Sequence, residues 1–154
     1  MTRLSITQVC ESRRTEIEAM AHAYYAEVLP EGPPFVPTTL DRYWRERGRH
    51  PYLIDLDGVR IGFALVWTHA DGTHELAEFT IRPDWRHKGL GTDAAEMIFE
   101  ALGGDWTLGV SREPPGALAF WQQCLDHIDA AHDVTSGPPK YRTQSGSFTF
   151  RIAR

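Results

Sequence analysis

The chain is short of cysteine and has no long hydrophobic run, and these two shortages limit what kind of protein it can be. Its 154 residues include two cysteines, Cys10 and Cys124, which form no C-x-x-C pair and predict no disulfide framework. No apolar stretch approaches the ~20 residues that a membrane-spanning helix needs, and the N-terminal segment lacks the apolar core of a signal peptide. We therefore expect a cytoplasmic protein that does not bind a membrane.

Several ligand-binding motifs are also missing. Seven histidines occur, but none stands in H-E-x-x-H or a comparable ligand spacing, so no metal site is predicted. The three glycines of the dinucleotide pattern G-x-G-x-x-G are absent, and so is the nucleoside-triphosphate loop, G-x-x-x-x-G-K followed by Ser or Thr. These absences argue against a metalloenzyme and against two common nucleotide-binding folds.

Basic residues are also fewer than acidic residues. The chain has 16 lysines and arginines and 21 aspartates and glutamates, and its formal net charge is −5. An acidic chain argues against a nucleic-acid partner and slightly favours a cationic small molecule as ligand. Arginines at positions 42, 45, 47 and 49 flank Tyr43 and Trp44, a mixture that can bind nucleic acid. We interpret this segment as the solvated face of a short helix because the chain as a whole is acidic.

The chain has many apolar residues, enough to form a packed core. Its hydrophobic content is 42%, five residues are tryptophan, and no repeat, low-complexity tract or Ser/Gly-rich linker divides the sequence. A chain of 154 residues is long enough to bury about two thirds of its unfolded surface. We predict one domain over residues 1–154.

Hydrophobic periodicity switches along the chain between the repeat typical of strands and the repeat typical of helices. It predicts strands at 4–7, 52–56, 59–67, 74–81, 106–110 and 147–152, and helices at 12–29, from 38 to 48, at 90–102 and at 116–125. Asp57-Gly58 predicts a tight hairpin turn, and Asp41 three residues after Thr38 predicts a capping pair. Between Ile128 and Ser147 the pattern predicts no regular element.

The stretch 74–102 carries the strongest functional signal, because a strand, a basic turn and a helix follow one another there. Pro83 ends the strand, since proline lacks the backbone donor that a central ladder needs. From Leu90 the apolar residues fall on one helical face, and Gly103 with Gly104 supplies a C-terminal cap. The turn between strand and helix is the candidate site.

This turn combines three features that bind phosphate. Gly89 and Gly91 let the backbone approach a ligand and direct successive N–H groups at it, and the helix that begins there adds its positive dipole end. Arg86 and Lys88 add positive charge. The turn is therefore suited to a pyrophosphate, although a glycine-rich turn can also be no more than a tight turn.

The spacing R-x-x-G-x-G, after a strand and before an amphipathic helix, resembles the GNAT superfamily of N-acetyltransferases, with Arg86, Gly89 and Gly91 at the defining positions. The resemblance implies an α/β fold, with a central mixed β-sheet flanked by helices. It implies acetyl-CoA as cosubstrate, bound at the turn through its pyrophosphate and along the strand backbone through its pantetheine arm. The residues implied are Phe79, Thr80 and Ile81 for the pantetheine, and Arg86, His87, Lys88, Gly89, Leu90, Gly91 and Thr92 for the pyrophosphate.

A second stretch, Ala117-Leu118-Ala119-Phe120-Trp121, resembles the family's A-x-x-F-Y segment but departs from it. Trp121 stands where many members have a tyrosine that protonates the leaving thiolate, and an indole does not titrate usefully. Pro114 stands where an asparagine is frequent, and Gly109 stands where some protein-acetylating members carry a glutamate. The usual acid and one usual base are therefore in question, and Trp121 is kept as a candidate acceptor contact.

The chemistry can proceed without that acid, because a thiolate with a pKa near ~8.5 leaves readily, but an alkylammonium with a pKa near ~10.4 must lose a proton before it attacks. A carboxylate base can contribute on the order of 10²–10⁴ in rate. Glu75 and Glu78 on the central strand are the candidates, and neither is preferred. The resemblance places Glu75 near the general base of histone-acetylating members, and it implies that Glu78 faces the acceptor if the strand bulges, as it usually does in this family. Either residue could instead bind an arginine across the sheet.

Tyr24 and Tyr25 on the first predicted helix are candidate acceptor-binding residues, since that helix borders the acceptor pocket in the family, although the spacing of Tyr24 also fits a core residue. The predicted function is direct transfer of an acetyl group from acetyl-CoA to a primary amine in a ternary complex. The predicted acceptor is a small amine or amino-acid-like metabolite. The alternative is a coenzyme-A-binding sensor or regulator without turnover. The sequence leaves open whether edge pairing or strand exchange makes a homodimer.

Overall fold

Seven strands form one mixed sheet in the computed structural model, which describes residues 3–33, 35–112 and 115–153. The strands are β1 (Leu4–Gln8), β2 (Arg49–Leu56), β3 (Val59–Thr68), β4 (His74–Ile81), β5 (Gly104–Ser111), β6 (Ala131–Gly137) and β7 (Gln144–Ile152). The helices are α1 (Arg14–Val28), α2 (Arg42–Arg45), α3 (Leu90–Leu102) and α4 (Ala117–His127), with short 3₁₀ turns at Glu11–Arg13, Pro37–Leu40 and Pro83–Trp85. The sheet order is β1-β2-β3-β4-β5-β7-β6, and β4 with β5 is the parallel pair. The predicted mixed sheet flanked by helices is confirmed.

The Asp57-Gly58 turn shows how local sequence sets the register of the first strands. Asp57 has φ 51° and Gly58 has φ 82°, the two positive values that a two-residue hairpin turn favours. The turn places Leu56 opposite Val59 in the β2–β3 ladder. The predicted hairpin is therefore confirmed.

Both faces of the sheet bury apolar side chains under helices. α1 and α2 cover one face, where Ile17 and Leu40 belong to the same buried cluster as Phe63. α3 and α4 cover the other face, where Phe99 packs edge-on against Trp106 with 4.8 Å between ring centroids. We call these the α1 face and the α3 face. Burying each such large side chain contributes ~1.5–3 kcal/mol, which fixes the helices and the turns that they carry.

The strand and helix of the central stretch have the predicted bounds, His74–Ile81 and Leu90–Leu102. Gly89 before α3 has φ 79° and Gly103 after it has φ 63°, values that residues with a side chain rarely adopt. Phe99 on the apolar side of α3 is fully buried. Glycine at both ends and burial along one side thus fix where α3 begins, after the turn that follows β4.

The predicted second helix is shorter than expected and starts differently. Pro37 opens a 3₁₀ turn, and the α-helix itself is Arg42–Arg45. The predicted capping pair of Thr38 and Asp41 is wrong, because Asp41 makes no side-chain cap hydrogen bond. Asp41 instead accepts a hydrogen bond from the Arg14 guanidinium at 2.7 Å. An ion pair with α1 has taken the place of the local cap.

The sequence predicts one strand after α4, and this prediction is wrong, because the structure has both β6 and β7. β6 is an edge strand with mostly exposed side chains, so it does not need alternating apolar and polar residues. Its pairing with β7 is irregular between His132 and Thr135, where Asp133 has φ 56°. A polar and bulged edge strand leaves no periodic signal in the sequence.

β4 pairs with its parallel neighbour β5 over only part of its length. Its pairing with β5 runs from His74 to Leu76, whereas its other edge pairs with β3 as far as Ile81. A bulge marks the separation, because neighbouring residues of β3 pair with Leu76 and Glu78 and skip Ala77. From residue 78 onward, the outer edge of β4 therefore faces a gap between β4 and β5.

Candidate active site

The turn at residues 86–92 presents its backbone to solvent. His87, Lys88 and Gly89 are exposed, while Leu90, Gly91 and Thr92 are partly buried in the first turn of α3. In the part of the chain that the structure describes, the backbone N–H groups of residues 87–92 have no hydrogen-bond partner, as expected at the start of a helix. Unpaired amides at a helix N-terminus form an arrangement that binds phosphate.

Two glycines shape this turn in different ways. Gly89 has φ 79°, and no described atom lies within 4 Å of the place where its Cβ would be. Conformation, not space, therefore favours glycine at that position. At Gly91 an added Cβ would lie 3.1 Å from Cζ of Phe120, so glycine there allows α3 to approach α4 closely. His87 also has a positive φ of 62°, which helps the turn to curl around its own amides.

Arg86 is bound within the protein. Its two terminal nitrogens donate to the Glu27 carboxylate, with 2.7 Å between Nη2 and Oε1. Its Nε donates to the Ile81 carbonyl at 2.7 Å, and Nη2 also donates to Thr80 Oγ1 at 3.2 Å. The hydrogen bonds of this ion pair lower the pKa of Glu27 and raise the pKa of Arg86. Glu27 thus neutralises the charge of Arg86, and a contact of this guanidinium with a phosphate stays a prediction.

Phe79, Thr80 and Ile81 lie where β4 has separated from β5. Because β3 pairs with one edge of this segment, the other edge faces the gap, although the Ile81 carbonyl already accepts a hydrogen bond from Arg86. An extended chain with amide groups, such as pantetheine, can pair with a free strand edge as another strand would. The shape of the segment fits the predicted role, which stays a prediction.

Glu78 stands at the point of separation and faces α1. The Tyr25 hydroxyl donates a hydrogen bond to Glu78 Oε1 at 2.8 Å, and Tyr24 lines the cavity beside Glu78. Burial raises the pKa of the Glu78 carboxyl to about 7, although the hydrogen bond from Tyr25 acts to lower it, and the charge of Glu75 raises it further. No lysine or arginine among the described residues shifts this pKa. A carboxylate with a pKa near neutrality is suited to accept a proton.

A cavity of about 80 Å³ opens beside this carboxylate. It is lined by Tyr24, Tyr25, Val28, Leu29, Glu78, Ser111 and Thr143. Such a volume admits several water molecules or the amino end of an acceptor. Burial raises the pKa of Tyr24 and of Tyr25, so both hydroxyls keep their protons at neutral pH and can donate hydrogen bonds. The structure thus brings both candidate tyrosines together with Glu78.

The raised pKa of Glu78 predicts that this residue destabilises the fold at high pH. Its carboxyl has a pKa of about 7 in the folded chain against an ordinary value of 4.5, so the folded state binds the proton more tightly. The contribution of Glu78 to the free energy of unfolding is most favourable below pH 4.5 and is lost as the pH rises through 7. The free energy of unfolding falls by up to about 3 kcal/mol over this range. We therefore expect Glu78→Gln to raise the Tm above that of the wild type at about pH 8, with a smaller gain at about pH 5. Thermal unfolding followed by circular dichroism measures both, and a variant less stable at both pH values contradicts the prediction.

Glu75 lies on the same face as Glu78, because the bulge at Ala77 offsets the alternation of β4. Its Oε1 lies 2.9 Å from His69 Nε2, and it does not line the cavity. A histidine, not an arginine, is therefore its partner. Of the two candidate bases, Glu78 has the cavity beside it and the raised pKa, while Glu75 acts on Glu78 through its charge.

Trp121 lies in the core of the α3 face and away from the acceptor cavity. It is 8% exposed, and its ring lies 5.3 Å from that of Phe79 and 6.4 Å from that of Phe99, measured between centroids. The indole packs against Phe79 and does not line the cavity beside Glu78, and its contact with an acceptor stays a prediction. Pro114, the second departure from the family pattern, lies outside the described residues.

Thr143, in the turn before β7, lines the cavity, and the sequence did not predict this contact. The side chain of Gln144 occupies the space that a side chain at Gly109 would need. Gln144 Oε1 accepts a hydrogen bond from the Lys140 backbone N–H at 2.9 Å, and the Lys140 ammonium donates to Thr107 Oγ1 at 3.1 Å. The turn thus folds over β5. The one signal in this segment is Gly137-Pro138-Pro139, which indicates a turn but not what it covers.

Other kinds of site receive no support from the described part of the chain. There, no three His, Cys, Asp or Glu side chains come together as a metal site. None of the helices in the described ranges combines the length and the apolar character needed to cross a bilayer. Burial raises the pKa of Cys124 to about 12, which opposes a role as a nucleophile.

Solved structures with the same fold include several acetyltransferases. One is the diaminobutyrate acetyltransferase of Paenibacillus lautus, with a TM-score of 0.71 and 10% identity over 99% of this chain and 96% of that chain. Another is the spermidine N-acetyltransferase of Vibrio cholerae, with a TM-score of 0.70 and 11% identity over 97% and 95% of the two chains. A third is the ribosomal-protein-S18-alanine N-acetyltransferase of Escherichia coli, with a TM-score of 0.67 and 17% identity over 99% and 96%. At these identities the likeness shows the fold alone.

Sequence comparison identifies the family. Among curated proteins, no sequence matches significantly. The profile of the acetyltransferase (GNAT) family matches residues 14–125. This span runs from the start of α1 into α4 and includes Tyr24, Tyr25, Glu78 and the turn at 86–92. The chain therefore belongs to the GNAT acetyltransferase family.

Proposed function

We propose that this protein transfers an acetyl group from acetyl-CoA to a small primary amine, with Glu78 as general base. The observation that carries the proposal is the position of the Glu78 carboxylate. It lies where β4 leaves β5, next to a cavity lined by Tyr24 and Tyr25. A base at this point can meet an amine that enters from the cavity and a thioester that lies in the gap.

The reaction that we propose is a direct transfer in a ternary complex. The amides of residues 87–92 would hold the pyrophosphate of acetyl-CoA, and the backbone of residues 79–81 would align its pantetheine. Glu78 removes a proton from the acceptor ammonium, directly or through a water molecule. The amine nitrogen then attacks the thioester carbonyl, so that a C–N bond forms and the C–S bond breaks. The proton that the nitrogen loses as the amide forms passes to the released thiolate or to water. Coenzyme A leaves as a thiolate, whose pKa near ~8.5 makes an acid at the position of Trp121 unnecessary.

A small cationic acceptor is supported by the charge on the α1 face. Glu75 and Glu78 both lie on this face, and the chain carries a formal net charge of −5. The Vibrio cholerae enzyme was solved with coenzyme A and spermine, and the Paenibacillus lautus enzyme with L-2,4-diaminobutyric acid and coenzyme A. The Escherichia coli enzyme is instead named for an alanine of a ribosomal protein. The cavity of about 80 Å³ favours the narrow end of a small amine.

The test is release of free thiol from acetyl-CoA in the presence of an amine panel. The panel contains spermidine, 2,4-diaminobutyrate, neutral amino acids and a peptide with an N-terminal alanine. We expect release above the amine-free rate with the small cationic amines and not with the peptide. Calorimetry with coenzyme A runs beside it. Binding of coenzyme A without release across the whole panel would contradict the proposal and favour the sensor alternative, which the departure at Trp121 motivates.

A further inference from the structure

The carboxyl half of α1 carries both tyrosines of the site, and it is only partly buried on the sheet. A groove of about 450 Å³ lies between this half of the helix and the end of β4 with the turn that follows it. Between the buried residues Ala21 and Val28, none of the α1 side chains is buried in this described segment. Tyr24 packs edge-on against Phe63, with 5.9 Å between ring centroids, and polar contacts add to this packing to hold the carboxyl half of α1 in place.

One of these polar contacts is the pair Glu27–Arg86, which joins α1 to the turn after β4. The Arg86 side chain is 26% exposed and the Glu27 side chain 30%, so water screens the pair only in part. Two parallel N–H bonds to one carboxylate are the strongest geometry for such a pair. Further donors of Arg86 are taken by the Ile81 carbonyl and the Thr80 hydroxyl. The guanidinium is thus shared between α1 and the end of β4, and little of it remains for a phosphate.

Glu27 follows Tyr24 by three residues, so the two side chains lie on neighbouring parts of one helix face. Tyr25 on the same helix donates its hydrogen bond to Glu78. We propose that Glu27 and Arg86 are positioning residues that tie the 86–92 turn to α1 and thereby hold Tyr24 and Tyr25 against Glu78. The inference rests on the proposed function, because it takes Glu78 to be the base.

This arrangement separates the binding of coenzyme A from turnover. The amides of residues 87–92 remain in the turn when Glu27 is neutralised, so affinity for coenzyme A should change little. The position of the tyrosines and of the cavity relative to Glu78 should change, and a small misplacement of reacting groups can lower a rate about 10²-fold. Loss of the pair should therefore lower kcat and leave the KM for acetyl-CoA nearly unchanged.

The experiment uses three variants, Glu27→Gln, Arg86→Gln and the double variant that combines these two changes. Each is compared with the control variant Glu16→Gln. Glu16 is a matched control, since it is a glutamate on the same helix that pairs with Arg13 and Arg60 but not with residues of the site. Hydrogen exchange followed by mass spectrometry reports on the amides of residues 24–28. Calorimetry gives the Kd for coenzyme A, and thiol release with the best amine of the panel gives kcat and KM.

We expect each single variant to lower kcat about ten- to hundredfold, with the Kd for coenzyme A and the KM for acetyl-CoA within about threefold of the wild type. The double variant should be no slower than the slower single variant, because both changes remove the same contact. Residues 24–28 should exchange about tenfold faster in both single variants and at the wild-type rate in Glu16→Gln.

Three results would overturn the positioning role. They are additive losses in the double variant, a Glu27→Gln variant that behaves like Glu16→Gln, and a Kd for coenzyme A that weakens as much as kcat falls. A wild-type protein that releases no thiol with any amine would instead remove the proposed function. In that case hydrogen exchange over residues 24–28 still decides whether Glu27 and Arg86 hold α1.

Discussion

Glu78→Gln is expected to lower kcat about 10²- to 10⁴-fold at neutral pH, the range attributed to a well-placed general base. The amide has nearly the size of the carboxylate and can still accept the hydrogen bond that Tyr25 donates, so the cavity should keep its shape. It cannot take up the proton of an acceptor ammonium. The Kd for coenzyme A should stay within about threefold of the wild type, because the amides of the turn are unchanged.

The pH dependence of kcat tests the same role independently. Wild-type kcat should rise as the pH passes through about 7, since Glu78 is a base only after its carboxyl has lost its proton and burial raises its pKa to about 7. The titratable groups that act on it are Tyr24 and Tyr25, which stay protonated in this range, and Glu75. The rise should be absent in Glu78→Gln.

Glu75→Gln is the matched control on the same strand. It should lower kcat by no more than about threefold, because Glu75 does not line the cavity. It should also move the rise in kcat to lower pH, since it removes the charge that raises the pKa of Glu78. A Glu78→Gln variant that keeps about a third of the wild-type kcat, or a loss in Glu75→Gln of the size expected for a base, would contradict the assignment.

Gly89→Val is expected to weaken coenzyme A binding at least about tenfold in calorimetry, because a β-branched residue strongly disfavours a positive φ. The valine either strains the turn at φ 79° or forces it to another conformation, and its side chain would stand in the open space before the amides. Gly91→Val should weaken binding by a different route. Its Cβ would lie 3.1 Å from Cζ of Phe120, so either the Phe120 ring or the start of α3 must move by a few tenths of an ångström.

Gly58→Val is the control for the first of these variants. Gly58 has φ 82° and no described atom within 4 Å of its Cβ position, which matches Gly89, but it lies in the β2–β3 hairpin. It should lower the Tm by a similar amount and leave the Kd for coenzyme A within about threefold of the wild type. Equal affinity in the wild type, Gly58→Val and Gly89→Val would show that the 86–92 turn does not bind coenzyme A.

The sequence predicts best where local chemistry alone determines the structure. β4 and α3 have the predicted bounds because the hydrophobic period changes between them and Gly103 stops the helix. β6 was not predictable, since an exposed edge strand needs no apolar alternation. The turn after Gly137 could be located but not placed over β5, because its contacts with Thr107 and Gly109 come from elsewhere in the chain.

Some features of the candidate site could also be predicted from the sequence, and others could not. The glycines of the turn are visible in the sequence because their backbone role is local. The choice between Glu75 and Glu78 depends on the bulge at Ala77, which β3 imposes through its register. The neutralisation of Arg86 depends on Glu27, 59 positions away on another element, and no local pattern shows it.

A crystal structure with coenzyme A bound tests the central claim most directly. We expect the pyrophosphate oxygens to lie within hydrogen-bond reach of the backbone nitrogens of residues 87–92. The sulfur should lie in the gap between β4 and β5, beside the carboxylate of Glu78. A pyrophosphate bound elsewhere on the protein, or a sulfur on the far side of the sheet from Glu78, would contradict this account.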